Sequence, residues 1–197
     1  MDPKLFLGLL AGGIIALAHF IYVRDIFRIE SIKPQRASWF ILIFTEGASV
    51  ANQLSSGAGH AIWAYVVPTI TIAIIFLVSI KHGEGGFSTV DALLIVLSFG
   101  GLALWWFSNN VTYSVIGSVL AAVFSIIPTL IKVYKDPFSE NYASWVLPLV
   151  AIIIAIFAVE EYSFNSLIIL FTWIVLDGCV ILLQVFLRPR KVNLANG

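Results

Sequence analysis

The sequence predicts an all-α membrane protein with seven transmembrane helices, arranged 3+1+3 as two parallel triple-helix bundles with a linker helix. Three observations lead to this fold class. The composition is too apolar for a soluble domain, seven apolar runs are long enough to cross a bilayer, and one short motif recurs after 106 residues, at positions 37 and 143.

The composition excludes several classes of protein. Of the 197 residues, 60% are hydrophobic and 11% are charged, whereas an ordinary soluble domain is about 25% charged. The net charge is zero, so the chain lacks the basic face of a nucleic-acid-binding protein. The single cysteine, Cys179, cannot form an internal disulfide. We therefore expect an integral membrane protein whose first partner is the lipid bilayer, with no nucleic acid bound.

The apolar runs are separated by short polar or glycine-rich segments. A helix of about 20 residues crosses the hydrocarbon core, and a helix satisfies its own backbone hydrogen bonds there. The connections are too short to form an extramembrane domain. The predicted spans are Leu5–Val23, Ala37–Leu54, His60–Ile80, Asp91–Phe107, Val111–Val133, Tyr142–Val159 and Asn165–Leu187.

Lysine and arginine residues concentrate on one side of this arrangement. Ten of the eleven lie on the side of the first, third and fifth connections and the C-terminus, and only Lys4 lies on the other. Cytoplasmic loops carry the excess of Lys and Arg in membrane proteins. We therefore expect a multi-pass protein of the cell membrane, with its N-terminus outside and its C-terminus in the cytoplasm.

One motif opens two of the predicted spans. Ala-Ser-Trp occurs at Ala37–Trp39, where the second span begins, and at Ala143–Trp145, where the sixth begins. At this offset, spans one to three fall on spans five to seven, and both triplets share one orientation. Parallel repeats of this kind occur in transporters. The predicted units are a first bundle at 1–82, a linker helix at 83–109, a second bundle at 110–188 and a cytoplasmic tail at 189–197.

The segment around Pro128 resembles the PQ-loop consensus. It reads Ile-Pro-Thr-Leu-Ile-Lys-Val-Tyr-Lys over residues 127–135, with Thr129 in place of the glutamine, and it is followed by Ser139 and Glu140 before the sixth span. Together with the 3+1+3 plan, this motif makes the chain similar to the SWEET and PQ-loop superfamily of small membrane transporters. The resemblance implies alternating access to a central cavity.

Two prolines are candidate gate or hinge residues. A proline inside a helix removes a backbone hydrogen bond, and such a break is tolerated where neighbouring helices compensate for it. Pro128 and Pro148 resemble half of the four-proline hinge set of SWEET-type transporters. The equivalents of the other two positions, near Tyr22 and Leu42, are not prolines.

Two acidic residues lie near the middle of predicted spans, Glu46 in the second and Asp177 in the seventh. A charged group at the bilayer centre costs about 2.5–3.5 kcal/mol or more, so we expect both to face the bundle interior. At the repeat offset, Asp177 corresponds to Thr71, and this pair resembles the symmetric polar residues that contact the solute in SWEET-type transporters. Asp177, Thr71 and Glu46 are therefore candidate substrate-binding residues. For both acids, a purely structural hydrogen bond to a neighbouring helix stays open.

Trp173 and Asn52 complete the candidate substrate-binding residues. Trp173 lies deep enough to stack on a sugar ring or heterocycle, and Asn52 is placed to line an outward vestibule. An aromatic belt at the membrane interface is the alternative for the tryptophan, and a helix cap is the alternative for the asparagine. Trp39 and Trp145 begin their helices, so we expect them to be interfacial anchors.

These features predict a membrane transporter that moves a small polar solute, sugar-like or another small metabolite, by alternating access. Coupling to protons and assembly into a homo-oligomer stay open. We expect no enzymatic activity, catalytic residue, cofactor or metal site. One alternative is uptake of a heterocyclic vitamin or nucleoside, as in the similar 3+1+3 transporters of the PnuC type, with aromatic residues forming the site. The other is a non-transporting sensor or accessory subunit, in which polar groups only hold helices together.

Overall fold

The computed structural model describes residues 1–86, 88–108 and 110–195, with side chains up to residue 189. These residues form seven α-helices and one short 3₁₀ helix, and no strand, so the all-α prediction is confirmed there. The helices are α1 (Pro3–Arg28), α2 (Arg36–Ser55), α3 (Trp63–His82), α4 (Thr89–Phe107), α5 (Val111–Lys135), α6 (Ala143–Ala158) and α7 (Phe164–Ala195), and the 3₁₀ helix Gly59–Ile62 leads into α3.

Two helices extend well beyond the C-terminal ends of their predicted spans. α1 continues past Val23 to Arg28, and α7 continues through Pro189 to Ala195, so the residues predicted as a tail are helical as far as Ala195. Hydropathy marks where a helix can leave lipid, whereas the helix itself ends where its backbone hydrogen bonds end. The charged last turns therefore belong to the helices although the apolar runs stop earlier.

Helices α2 and α6 begin in the same way. The side-chain oxygen of Gln35 accepts a hydrogen bond from the Ser38 amide at 3.0 Å, and that of Asn141 accepts one from the Ser144 amide at 3.1 Å. Such side-chain caps satisfy backbone donors that have no partner in the first helical turn. The side-chain nitrogen of Gln35 also donates to Asp91 Oδ1 at 3.0 Å, which joins the start of α2 to the first turn of α4.

Five helices are long and apolar enough to cross a membrane: α1, α3 with its 3₁₀ helix, α4, α5, and α7 up to Pro189. These helices indicate a multi-pass membrane protein. α6 has only 16 residues, about 24 Å at 1.5 Å per residue, so it does not meet the same standard. α2 has the length but not the hydropathy, because it carries the buried polar residues Thr45, Glu46, Ser49, Asn52 and Gln53.

The surface of the bundle is apolar and much of its interior is polar. Phe20, Leu77, Val175 and Phe186 are all more than 60% exposed. Buried positions, in contrast, include many serine, threonine, amide and carboxyl side chains. Buried apolar clusters are also present, but large apolar side chains exposed in this number fit a protein surrounded by lipid.

Neighbouring helices are not always consecutive in the chain. α3 packs against both α1 and α2, and α7 packs against both α5 and α6. α1 also packs against α6, α2 against α5, and α4 against α5 and less extensively against α2. The Trp173 side chain on α7 contacts three separate clusters of buried apolar residues, so it lies at the centre of the molecule.

Two glycines allow α4 and α5 to approach closely. A Cβ atom on Gly101 of α4 would lie 2.6 Å from the carbonyl oxygen of Gly117 and 3.0 Å from the amide nitrogen of Ala121, both on α5. Small residues at a helix contact allow close backbone approach inside a membrane. Because the opposing atoms belong to the backbone, they cannot move aside by a change of rotamer.

We predict that Gly101→Leu destabilises the protein, because the added side chain has to separate α4 from α5. Overpacking of this kind costs about 1–3 kcal/mol. Gly100→Leu is the matched control, since Gly100 is exposed and a Cβ there meets no atom within 4 Å. SDS titration in mixed micelles measures the free energy of unfolding. Equal values for the two variants would contradict the close contact.

Candidate functional site

A cavity of about 70 Å³ lies between the helices. One ordered water needs about 10–15 Å³ on the same measure, so the cavity holds a few waters or a small solute. Most of its lining side chains are buried, which places it inside the bundle. It is lined by Ile15, His19, Tyr22, Trp39, Leu42, Glu46, Ala64, Tyr65, Pro68, Ile72, Ile126, Ser144, Trp145, Pro148, Ile152, Leu170, Trp173 and Asp177.

Two carboxyl groups in this lining have no partner. Glu46 on α2 is 3% exposed and Asp177 on α7 is 4% exposed. Both line the same cavity, yet among the described residues neither makes a hydrogen bond or an ion pair. A buried polar group without a hydrogen bond is destabilising, so these carboxyls require water or a bound molecule in the cavity.

Aromatic side chains supply much of the remaining lining. The Tyr22 and Trp39 rings lie 5.3 Å apart, centroid to centroid, and Trp145 and Trp173 line the same cavity. The indole nitrogens of Trp39 and Trp173 are buried without a hydrogen-bond partner in the described part of the chain. The expectation that Trp39 and Trp145 are interfacial anchors is wrong, because both rings are buried and turn towards the cavity.

Thr71 reaches the cavity only through a histidine. Its hydroxyl lies 2.5 Å from His19 Nδ1, and His19 is part of the lining whereas Thr71 is not. This hydrogen bond joins α3 to α1. Thr71 and Asp177, which were expected to form a symmetric pair, are therefore not equivalent in the structure, because Asp177 lines the cavity and Thr71 does not. Thr71 is instead placed to orient His19.

Two other predicted residues lie away from the cavity. Asn52 donates to Ser118 Oγ at 2.7 Å and accepts from the Trp105 indole at 3.1 Å, which joins α2 to α4 and α5. Pro128 lies on α5 beside a separate surface pocket that also contains Lys132. Of the predicted residues, the structure thus brings Glu46, Asp177, Trp173 and Pro148 together around one cavity.

A buried ion pair closes one end of the bundle, which we call the basic end because the last turns of α1, α3 and α5 carry Lys or Arg residues there and Arg188 of α7 lies beside them. Lys132 Nζ lies 2.5 Å from Glu140 Oε1, and Glu140 is fully buried. Tyr22 donates to the same carboxyl oxygen at 3.0 Å, and the Trp145 indole donates to the other at 3.3 Å. Two lining residues of the cavity are therefore bound to this ion pair.

Further contacts strengthen the basic end. Lys132 also donates to the Lys33 carbonyl oxygen and lies 3.8 Å from Glu84. The Asn141 side chain, which caps α6, donates to Asp25 on α1. These contacts connect the first half of the chain to the second across the mouth of the cavity.

The opposite end of the bundle is closed by more exposed contacts. Lys4 donates to the Val159 carbonyl oxygen at 2.8 Å. His60 lies 3.1 Å from Asp2 and 3.5 Å from Glu160, and all three side chains are at least one-third exposed. Exposed ion pairs contribute little to stability, so these pairs contribute less at this end than buried contacts do, such as the hydrogen bond from Gln53 on α2 to the Ser166 carbonyl oxygen on α7 at 3.3 Å.

Sequence reasoning missed five of the six aromatic and histidine side chains in the lining, His19, Tyr22, Tyr65, Trp39 and Trp145. The recurrence of Ala-Ser-Trp was the available signal for the two tryptophans, because a motif that recurs at the same point of both halves marks an equivalent environment.

Within the described residues, no group of three or more His, Cys, Asp and Glu side chains could hold a metal ion.

Comparisons with protein-family models, with curated proteins and with solved structures gave no match to this chain. The function is therefore inferred from the cavity and from the contacts that close it.

We predict that Glu140→Gln destabilises the protein by about 3 kcal/mol, because Lys132 is left as a buried charge without its buried carboxylate partner. Glutamine keeps a side-chain oxygen that can accept the hydrogen bond from Tyr22, so the loss of stability measures the contribution of the carboxylate charge. Glu30→Gln, at an exposed position, is the control and should change stability by less than about 0.5 kcal/mol. SDS titration in mixed micelles measures both. A loss no larger than that of the control would contradict a closing role for the ion pair.

Proposed function

We propose that the protein is a membrane transporter that moves a small polar solute by alternating access through the central cavity. The observation that carries this proposal is the pair of buried, unpartnered carboxyls of Glu46 and Asp177 on the cavity lining. An ionisable group inside a membrane usually serves a solute or proton pathway. Proton coupling is part of the proposal, since a carboxyl can bind and release a proton.

The lining supports a duplicated architecture. Four pairs of lining residues are separated by 106 residues, the offset of the Ala-Ser-Trp repeat. They are Trp39 and Trp145, Leu42 and Pro148, Glu46 and Ile152, and Ala64 and Leu170. A cavity lined by equivalent positions of two halves lies on the axis between them, as in transporters built from repeats.

The helix contacts support the same architecture. Exchanging α1 with α5, α2 with α6 and α3 with α7 leaves the pattern of contacts among these six helices unchanged. We therefore propose two three-helix bundles with α4 as the linker, in a cell membrane with the basic end in the cytoplasm. Both Ala-Ser-Trp serines also bind across the halves, Ser38 to Thr129 at 2.9 Å and Ser144 to the Ala18 carbonyl oxygen at 3.4 Å.

Alternating access requires that each end of the cavity can open while the other is closed. Polar contacts join the two halves at both ends, and polar contacts can break without exposing large apolar surfaces. Pro68 and Pro148 lie inside helices and line the cavity, and Pro128 lies inside α5 near the basic end. Each removes a backbone hydrogen bond and can serve as a bending point.

A second candidate function is uptake of a heterocyclic solute such as a vitamin or nucleoside. The specific observation in its favour is the aromatic lining, with Tyr22, Tyr65, Trp39, Trp145 and Trp173 around one cavity. Such rings stack on flat heterocycles. In that case the carboxyls would orient the ring by hydrogen bonds.

We predict that cysteines at the two ends of the cavity are reached by water from opposite sides of the membrane. Ser144→Cys lies at the basic end and Ala64→Cys at the other, each in a Cys179→Ser background. In proteoliposomes of defined orientation, a membrane-impermeant thiol reagent should modify position 144 from the cytoplasmic side and position 64 from the outside.

Val175→Cys is the control, because Val175 is 61% exposed on the lipid-facing surface and should react from neither side. If positions 144 and 64 are also unreactive from both sides, water does not reach the cavity. The transporter proposal would then be wrong, and a sensor or accessory subunit would take its place.

We predict that Asp177→Asn lowers solute uptake into proteoliposomes at least tenfold, or removes its dependence on a pH gradient, because the charge of this carboxyl is lost. A panel of sugars and other small metabolites, with and without a pH gradient, provides the measurement. Thr172→Val is the control on the same helix, since the Thr172 hydroxyl bonds only to the Ile168 carbonyl oxygen. Unchanged uptake and unchanged pH dependence in Asp177→Asn would contradict the role of the carboxyl.

A further inference from the structure

The cavity contains two acidic groups and one histidine, His19, whose Nδ1 is already hydrogen-bonded to Thr71. Among the described residues, its lining has no lysine or arginine. The nearby Lys132 is already engaged by Glu140 and Glu84. Taking a carboxylate out of water is costly unless a cation accompanies it, and an ammonium group supplies both a positive charge and N–H donors. The electrostatics of the cavity therefore favour a cationic ligand and disfavour an anion.

The aromatic lining favours the same charge. Tyr22, Trp39, Trp145 and Trp173 surround the space next to the two carboxyls. Aromatic rings attract ammonium groups to their faces, and the attraction is stronger where water is excluded. A neutral sugar would find few polar partners, because most of the remaining lining is aliphatic.

Two donors in the lining need an acceptor. Within the part of the chain that the structure describes, the indole nitrogens of Trp39 and Trp173 are buried without a partner, and an indole N–H can only donate. An ammonium group cannot satisfy them, since it has no acceptor. The ligand therefore needs an uncharged oxygen in addition to its positive nitrogen.

We infer that the cavity binds a small organic ammonium compound that carries a hydroxyl or carbonyl oxygen, with the ammonium group at Glu46 and Asp177 and the oxygen at the tryptophan N–H groups. This inference rests on the proposed function in that it takes the cavity as the solute site. It names the chemical class of the solute, and a binding measurement tests it without any transport.

The test compares four small probes on the purified full-length chain in detergent, at neutral pH and constant ionic strength. They are 3-aminopropan-1-ol, its neutral analogue propane-1,3-diol, the anion 3-hydroxypropionate, and propylamine, which lacks the oxygen. A ligand that binds the folded protein raises its melting temperature, and calorimetry gives the affinity. We expect 3-aminopropan-1-ol to bind at least tenfold more tightly than the diol, propylamine to bind more weakly than the amino alcohol, and the anion not to bind.

Equal binding of the amino alcohol and the diol, or no binding of the amino alcohol, would overturn the ammonium assignment. Equal binding of the amino alcohol and propylamine would overturn the requirement for an oxygen. These outcomes are read on the unaltered chain, so they do not depend on whether any variant folds.

Variants then locate the binding site. Asp177→Asn and Glu46→Gln should each weaken binding of 3-aminopropan-1-ol at least tenfold and leave that of the diol unchanged. Thr172→Val and Thr45→Val are controls on the same two helices, because these hydroxyls bond to their own helix backbone and do not line the cavity. If the acid variants lose no more affinity for 3-aminopropan-1-ol than the controls, the ammonium group binds elsewhere and the inference is wrong.

The inference and the proposed function can fail separately. If no amine binds but other solutes are taken up through a cavity that thiol reagents can reach, the ammonium class is wrong and transport stands. If the amino alcohol binds as expected but is not taken up, and the cavity cysteines stay unreactive, the site stands and transport is wrong.

Discussion

The structure depends on one constraint, the absence of water from the core of a bilayer. Every backbone polar group must be satisfied inside a helix there, and every polar side chain must find a partner within the bundle. Helix α2 illustrates this requirement, because it is the most polar of the long helices and turns Thr45, Glu46, Ser49, Asn52 and Gln53 inwards. Most of these groups find partners on their own or neighbouring helices. Glu46 does not, and it faces the cavity.

The charged groups are distributed so that the cavity lies between two unequal closures. At the basic end, the Lys132–Glu140 pair is buried and also binds Tyr22 and Trp145, so the state of the cavity lining and that of the closure are physically linked. At the other end, the contacts around His60 are exposed to solvent. Exposed contacts of this kind exchange readily with water, whereas breaking a buried pair leaves uncompensated charges. The two ends therefore differ in the kind of ion pair that each contains.

The sequence predictions that agree best with the structure rest on hydropathy and on the free-energy cost of burying a charge. The helices follow the apolar runs, and Glu46 and Asp177 lie on one cavity because an acid at mid-span has to face the bundle interior. The orientation of a ring near a helix start is not encoded in hydropathy, so Trp39 and Trp145 were assigned to the membrane interface. The contact between Tyr22 and Glu140 joins residues 118 positions apart, and no local pattern reveals such a pair. Asn52 and Pro128 lie near the ends of their helices, where a shift along the axis moves a side chain out of the cavity.

Helix α4 is attached to both halves of the chain, at different heights. Its first turn is bound through Asp91 to Gln35 at the start of α2, and its middle is pressed against α5 at Gly101 and Gly117. Its last turn also contacts α2, where the Trp105 indole donates to Asn52 at 3.1 Å, so α4 is bound to both helices over much of its length. In the proposed 3+1+3 arrangement, a linker bound to both halves in this way limits how far they can move apart, and it makes the separation smallest along its own edge of the bundle.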